Sequence, residues 1–405
     1  MRCLIAAALA ATCAVPSVLL AQGTRAEVLE RRRSEKAAAL KPYDPGRLEE
    51  LLLQAEEGRL RRYIAPHNGF FASYGYTYKP VGSGLGFGGG FRHDLFGRTA
   101  RVELESGVSL RNYRMLRADF SLPRLFDERL ELGAEAVYSR HPQEDFFGPG
   151  NESAQGDRAN FLLSARDVRG RAVVSLAPAL RVGARFGHLE TTPGTGTDRR
   201  FPSIEERFTD REAPGLGSRS TFTYGEAFAA FDTRDEPGNA RAGAHYTLGW
   251  RRYDAAGGGR FDFDAYNLLL QHFVPVFDKK RVFAFQLGLT GTTAAAGADV
   301  PFYMQPTVGG SRTVRSLDEY RLRDRHALWM NAEYRWEVFS ALDMALFTDA
   351  GRVAPRLGDL DLSGLRRAYG IGFRFNTPQA VFLRVDLATG GGEGLRVFFK
   401  FSKAF

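Results

Sequence analysis

Leu395-Arg396-Val397-Phe398-Phe399-Lys400-Phe401-Ser402-Lys403-Ala404-Phe405 ends the chain on an aromatic residue. Leu395, Val397, Phe399 and Phe401 share one face of an extended chain, and Arg396, Phe398, Lys400 and Ser402 share the other. Period two marks a strand with unlike faces, and a soluble antiparallel sheet also produces it. Behind an export signal, and with Phe405 last, the pattern favours the closing strand of an outer-membrane β-barrel. In that setting apolar residues face lipid and charged residues face a wet lumen. A secreted β-sandwich is the competing architecture.

The start of the chain supplies that signal. Met1-Arg2 is a short positive region, Cys3 to Leu20 is apolar and small, and Leu19-Leu20-Ala21 suits cleavage before Gln22. Residues 1–21 are therefore read as a signal peptide. Thr12 is a poor neighbour for a lipidated Cys13, and both cysteines, Cys3 and Cys13, leave with the signal. Disulfides and thiol chemistry are excluded from the mature chain.

Beyond Ala21 no run approaches the ~18 consecutive apolar residues of a spanning helix. Aromatic residues at 12% and 45 glycines suit strands that alternate bulky lipid-facing with small lumenal positions. Of the 55 basic residues Arg2 is lost with the signal, leaving 54 against 47 acidic and a mature charge of +7. That balance favours anions in a pore or anionic headgroups at the surface. Nucleic acid is not indicated, because no basic cluster is interleaved with stacking aromatics.

Residues 22–68 differ from the rest. Arg25 to Leu40 has the composition of a polar helix, and Asp44-Pro45 supplies an N-cap followed by Pro at the first helical position. Leu48, Leu51, Leu52 and Ala55 recur at helical spacing before Gly58. This short helical periplasmic segment is either a tether or a helix that sits in the barrel mouth or docks a partner.

From Gly69 to Phe405 the pattern has period two. It predicts strands near 69–78, 84–93, 98–108, 113–122, 128–140, 159–176, 180–190, 220–232, 239–254, 260–275, 279–292, 326–338, 342–351, 366–376, 379–389 and 394–405. The fold class expected is all-β, a sixteen-stranded antiparallel transmembrane barrel. Loop lengths provide an independent check. Short turns fall at 95–98, 123–127, 178–179, 233–238, 277–279, 339–341 and 377–378, while 141–158, 191–219, 293–325 and 352–365 all have the opposite parity. Short turns at one end and long loops at the other are the outer-membrane barrel asymmetry.

The loop 293–325 carries Val308-Gly309-Gly310-Ser311-Arg312-Thr313-Val314-Arg315-Ser316. After it comes a strand with Asn331, Glu333, Arg335 and Glu337 on its charged face, then Phe347-Thr348-Asp349-Ala350-Gly351. An arginine beside inward carboxylates suggests a loop folded into the lumen, with Arg315 paired to Asp349, Glu333 or both. An ordinary screened charge network is the plainer alternative.

These residues resemble the BamA/TamA superfamily of bacterial surface antigens. The resemblance rests on Gly309-Gly310 with Val314-Arg315, on Phe347-x-Asp349-x-Gly351, and on Asp232-Thr233-Arg234-Asp235-x-Pro237. Asp145-Phe146-Phe147-Gly148-x-Gly150 and the terminal Phe405 add to it, and it covers about 69–405. It implies a sixteen-stranded barrel whose sixth extracellular loop inserts an arginine against an acidic residue, and a role in protein insertion, translocation or lipid movement. On that basis Arg315, Glu333, Asp349 and Gly351 form the lumenal loop anchor, Gly309, Gly310 and Val314 the loop motif, and Phe399, Phe401 and Phe405 an assembly signal. Two departures stand out. Ser316 and Leu317 occupy places where the family motif has Gly and an aromatic residue, and Lys403 occupies an apolar position of the terminal signal. Residues 22–68 are also too few, and of the wrong composition, for a POTRA domain, so a substrate-handing module is either absent or supplied by another chain, a periplasmic or lipoprotein partner. Further partners are outer-membrane lipid and the barrel-assembly machinery.

Enzyme signals are weak. Gly84-x-Gly86-x-x-Gly89 lies within a strand with no helix after it, and no Gly-x-Ser-x-Gly elbow occurs. Histidines 67, 93, 141, 188, 245, 272 and 326 lack metal-ligand spacing. The expectation is a non-enzyme without cofactor or metal. A passive porin or selective channel with a basic lumen is the alternative, and an outer-membrane hydrolase a third.

Overall fold

The computed structural model describes residues 68–74, 85–339, 341–376 and 381–401. The expected signal peptide at 1–21, the expected helical segment as far as residue 67, the turn expected at Thr377-Pro378 and Phe405 lie outside these, as does the side chain of Phe401. Strands β1 (Gly69–Tyr74), β2 (Gly86–Leu95), β3 (Ala100–Ser109), β4 (Arg114–Leu125), β5 (Leu130–Phe146) and β6 (Ala159–Ala177) follow one another in hairpins. They continue as β7 (Leu180–Thr195), β8 (Ser220–Asp232), β9 (Gly243–Ala255), β10 (Phe263–Val276) and β11 (Arg281–Ala294). After a loop holding the short strands β12 (Thr307–Val308) and β13 (Leu322–Arg323) come β14 (His326–Phe339) and β15 (Leu342–Ala354). The last three are β16 (Arg366–Asn376), β17 (Val381–Gly390) and β18 (Arg396–Phe401).

Sixteen of these form one antiparallel sheet in chain order, with β12 and β13 pairing separately. Each strand lies beside its neighbours in this order, so backbone groups between adjacent strands are satisfied, as a membrane interior demands, and β1 and β18 are the two outer strands of the described sheet. The faces divide by chemistry. On the outside, Leu104, Leu116, Phe120, Val168, Phe186, Leu248, Leu346 and Phe399 are 42–68% exposed. Such a surface would aggregate in water, and it is a lipid-facing wall. On the inside, arginines and carboxylates pair across strands. Arg171 reaches Asp119 at 2.6 Å and Glu131 at 2.8 Å, and Arg185 and Arg251 share Glu226 at 2.9 and 2.6 Å. In β15 the alternation is explicit: Asp343, Ala345, Phe347 and Asp349 are buried, while Leu346 between them is exposed.

The short-turn end has its own repeated design. The turns at Phe96, Phe126 and Phe277 each run through consecutive residues with positive φ, Phe126-Asp127-Glu128 and Phe277-Asp278-Lys279 among them. Each closes with an N–H to C=O bond from the residue three places on: Thr99 to Phe96, Arg129 to Phe126 and Lys280 to Phe277. The leading phenylalanines are 83, 77 and 57% exposed. Aromatic rings at strand ends suit the membrane–water interface, where they form the girdle of a barrel.

At the other end the long loops pack on one another. Phe146, Phe161, Ile204, Ala213 and Phe302 form a fully buried cluster drawn from β5, β6, the 196–219 and 295–325 connections and the short helix α1 (Ile204–Arg207). Asn160 ties β6 to this layer by donating to the carbonyls of Asp198, Phe201 and Pro202 and accepting from the Asp198 N–H.

Candidate functional site

The loop between β11 and β14 turns back on itself through the β12–β13 ribbon, in which Thr307 pairs with Arg323 and Val308 with Leu322. Two glycines make its tip possible. Gly309 has φ 130°, and a Cβ there would lie 2.1 Å from the Asp318 carbonyl oxygen. Gly310 has φ 83°, and its Cβ would overlap the Glu319 carboxyl. Side chains are excluded at both by backbone angle and by space. Thr313 Oγ then accepts from the Gly309 N–H at 2.7 Å and donates to the Gly309 carbonyl at 2.9 Å, which fixes the turn.

Val314 and Leu317 pack with Val308, Leu322, Ala327, Val353 and Ala368, on the inner wall of β14, β15 and β16. Gly351 allows this approach, since a Cβ at that position would stand 2.9 Å from Val314 and 3.0 Å from Val308. Ser316 is fully buried as well. It and Leu317 press against Gly391, where an added Cβ would meet Leu317 at 2.8 Å and Ser316 Oγ at 3.0 Å.

Arg315 lies between these apolar residues and is 1% exposed. Its Nε and Nη2 donate to the two oxygens of Asp349 at 2.8 and 2.6 Å, and its backbone N–H adds a third bond to Asp349 at 3.1 Å. Nη1 donates to Glu333 at 2.6 Å and lies 3.6 Å from Asp386. The guanidinium carbon sits 3.4 Å from the centroid of the Phe347 ring. A planar fork between two carboxylates and over an aromatic face uses every recognition property of arginine. Burial opposes its charge, but Glu333 and then Asp349 outweigh that, holding the guanidinium above its ordinary pKa.

The wall residues are themselves secured. Glu333 also accepts from Arg374 at 2.9 Å and Arg335 at 2.7 Å. Asp349 accepts from Asn331, which stands directly opposite it and also binds the Thr313 carbonyl at 2.5 Å. From Asn331 a row of side-chain hydrogen bonds runs along the wall through Gln286 and Gln271 to His245.

Contacts at the loop tip were not visible in the sequence. Arg396 of β18 grips Asp318 with both Nη atoms, at 2.6 and 2.8 Å, and donates to the Ser316 carbonyl at 3.0 Å. Glu393, in the β17–β18 connection, accepts from the Asp318 N–H and from Arg321. Arg321 also donates to Ser153 Oγ at 2.9 Å and its carbonyl at 2.6 Å, and stacks on Phe147. The tip therefore joins the 147–158 connection to the last hairpin. The only advance hint was the placement of Arg396 on the charged face.

The remaining motif residues have local roles in the structure. Asp145 pairs with Arg158 at 2.9 Å, and Asp232 with Arg234 at 2.7 Å. Asp235 accepts N–H groups of Glu236, Arg241 and Ala242 and binds Lys279 at 2.9 Å. Burial opposes the Asp235 charge, but Lys279 and these backbone donors pull its carboxyl down to about 2. Phe399 projects from the outer face opposite Val385, and the backbone of Phe401 pairs with Leu383.

A family model described as the Omp85 superfamily domain matches residues 94–405. The chain belongs to the Omp85 superfamily. As an Omp85 barrel it resides in the bacterial outer membrane and is not an enzyme. Among solved structures, BamA from Haemophilus ducreyi lacking POTRA domains 1–3 is similar with TM-score 0.62 and 15% identity, over 82% of this chain and 69% of that one. CdiB from Escherichia coli gives TM-score 0.53 at 12% identity, and CdiB from Acinetobacter baumannii 0.50 at 12%. The match again covers 82% of this chain, but only 61 and 58% of those proteins, less than two thirds of their length. At such identities the likeness is one of fold. No curated protein matches the chain.

Proposed function

We propose that this Omp85 barrel inserts or translocates proteins, or moves lipid, across the outer membrane, with the 295–325 loop held in the lumen by Arg315. The observation that carries the reading is the near-complete burial of Arg315 between Asp349 and Glu333. A diffusion channel has no need to place an arginine in a socket built from β14 and β15, with a glycine opposite to admit the loop. The bidentate Arg396–Asp318 pair supports it further, since it ties the same loop to β18. In the described sheet β1 and β18 are the two edge strands. An edge strand is a template on which an incoming strand can add. A loop bonded to that edge is placed to couple its own position to the state of the edge. A periplasmic or lipoprotein partner that delivers clients completes the proposal.

The test is a photo-crosslinking residue at Phe399, on the outer face of β18, compared with the same residue at Phe186 on the outer face of β7. During synthesis of outer-membrane proteins in cells, Phe399 should capture client chains and Phe186 should not. Equal labelling at the two positions would favour the porin reading.

A further inference from the structure

Beneath the inserted loop lies a cavity of about 360 Å3, and Arg312, Arg335, Arg384 and Lys400 are among its lining residues. A second cavity of about 190 Å3 shares Gln271, Phe273, Arg335, Arg384 and Lys400 with it and is bounded by Arg234 and Pro237 of the 233–242 connection. The two run together from the loop toward the short-turn end.

The charges here do not balance. Arg374, Arg384 and Lys400 stand directly opposite one another across β16, β17 and β18. Like charges directly opposite in neighbouring strands repel. Arg374 is answered by Glu333, and Arg384 by Asp386. Arg335 also draws on Glu333. Among the described residues, neither Lys400 nor Arg312 has an acidic group within 4.0 Å. Glu333 also lines the cavity, but it is taken up by Arg315, Arg335 and Arg374. Glu319 acts on both cations from nearby, but its carboxyl accepts the Ser311 N–H at 3.2 Å and is itself buried, which favours its neutral form. Among the described residues two cations, Lys400 and the exposed Arg312, thus face one cavity without an ion-pair partner, with Arg335 and Arg384 beside them.

We propose that this cavity binds a phosphate-type dianion, held by Lys400 and Arg312 with Arg335 and Arg384 beside them. A planar carboxylate is satisfied by a single arginine fork, whereas donors arriving from the loop above and from β14, β17 and β18 at the side suit a tetrahedral group with several oxygens. A charge of two also matches the two unpartnered cations. The group can come from a soluble phosphate or from an anionic lipid headgroup, and the site does not depend on what the barrel moves.

The test uses the full-length barrel in non-ionic detergent at about pH 6.5, below the pH near 7 at which Glu319 ionises and above a second phosphate pKa of about 6. Its unfolding midpoint is followed in sodium phosphate and in sodium chloride of matched ionic strength, and then in vesicles of phosphatidic acid, whose headgroup is a phosphate monoester, or phosphatidylcholine. Phosphate should raise the midpoint beyond chloride if the source is soluble, and phosphatidic acid vesicles alone should do so if it is a headgroup. Lys400→Gln and Arg312→Gln should each weaken the dependence about tenfold, the scale of one charge-assisted contact. Arg260→Gln, at an exposed loop pair with Asp210, should leave it unchanged. Without any anion, Lys400→Gln should match or exceed the wild-type midpoint, because it relieves the cationic row. Equal effects of chloride and phosphate, or a lower anion-free midpoint for Lys400→Gln, would each overturn the proposal.

Discussion

Arg315→Ala removes a side chain that is 2% exposed from between Asp349 and Glu333, whose side chains are 0 and 7% exposed. Breaking one partner out of a buried ion pair costs about 3–5 kcal/mol, because the remaining charge is left desolvated. Here the survivors keep some donors. Asp349 retains Asn331 and the backbone N–H of residue 315, and Glu333 retains Arg335 and Arg374. The low end of the range, about 3 kcal/mol, is therefore expected, and it corresponds to roughly a hundredfold increase in the open population of the loop. Asp349→Ala should cost a similar amount, since Arg315 keeps Glu333 at 2.6 Å. Because both changes break the same contact, the double variant should be little worse than either, with a coupling of about 2–3 kcal/mol. Limited trypsin digestion of the folded barrel reads this directly, since Arg321 and Arg323 are cleavable bonds that are 5 and 4% exposed in the closed loop. Additive effects in the double variant, or unchanged protection of the loop in every variant, would refute the reasoning.

Other outcomes follow from the same geometry. Gly351→Val would push side-chain atoms into Val314 and Val308, and should loosen the loop by about 1–3 kcal/mol, seen as faster digestion with the barrel itself intact. Asp318→Arg should free the tip from β18, and pairing it with Arg396→Asp should restore protection, because the bidentate contact is re-formed with reversed sign. Burial raises the Glu319 carboxyl from its ordinary 4.5 to about 7, against the opposing pull of the Ser311 N–H, Arg312 and Lys400. A raised carboxyl pKa favours the protonated, closed loop, so protection should be complete below about pH 4.5 and decline as pH rises through about 7. In Glu319→Gln that decline should vanish. Leu346→Arg, on the lipid face of β15, should cost about 2–4 kcal/mol of barrel stability in bilayers, measured by urea unfolding from liposomes, whereas Leu346→Val should be mild.

Much of the barrel was legible because its two faces meet different solvents. A charge on the lipid wall is costly, so Arg374, Asp349 and Arg396 could be placed inward from period two alone. The same pattern gave sixteen strands, and loop parity was an independent check that separated the two ends. Boundaries were less legible. The strand pattern faded at 140 and 190, yet β5 continues to Phe146 and β7 to Thr195. The first extension passes through a bulge between His141 and Glu144, and the second carries Pro193, paired with Leu163. A bulge breaks the alternation, and a proline argues against a strand interior. The backbone of the Phe126 and Phe277 turns was also hidden, because non-glycine residues seldom take successive positive φ angles.

The site divided in a similar way. The pairing of Arg315 with Glu333 and Asp349 was legible because the loop motif is compact and the two acids lie on adjacent strands. Asp318, Arg321, Glu393, Arg396 and Ser153 were not, since their contacts join segments up to 168 residues apart and follow only from the docked loop. The Lys400–Arg384–Arg374 row needed the register of three strands, which alternation does not supply.

The central claim is that the barrel promotes membrane insertion or translocation through a lumen-held loop. Liposomes containing the purified protein, given an unfolded outer-membrane protein as client, test it most directly through the rate at which protease-resistant client accumulates. Wild-type protein should accelerate that rate over empty liposomes, and Arg315→Ala, folded to the same level, should lose most of the acceleration. Wild-type liposomes that conduct ions while client insertion proceeds no faster than in empty ones would contradict the account.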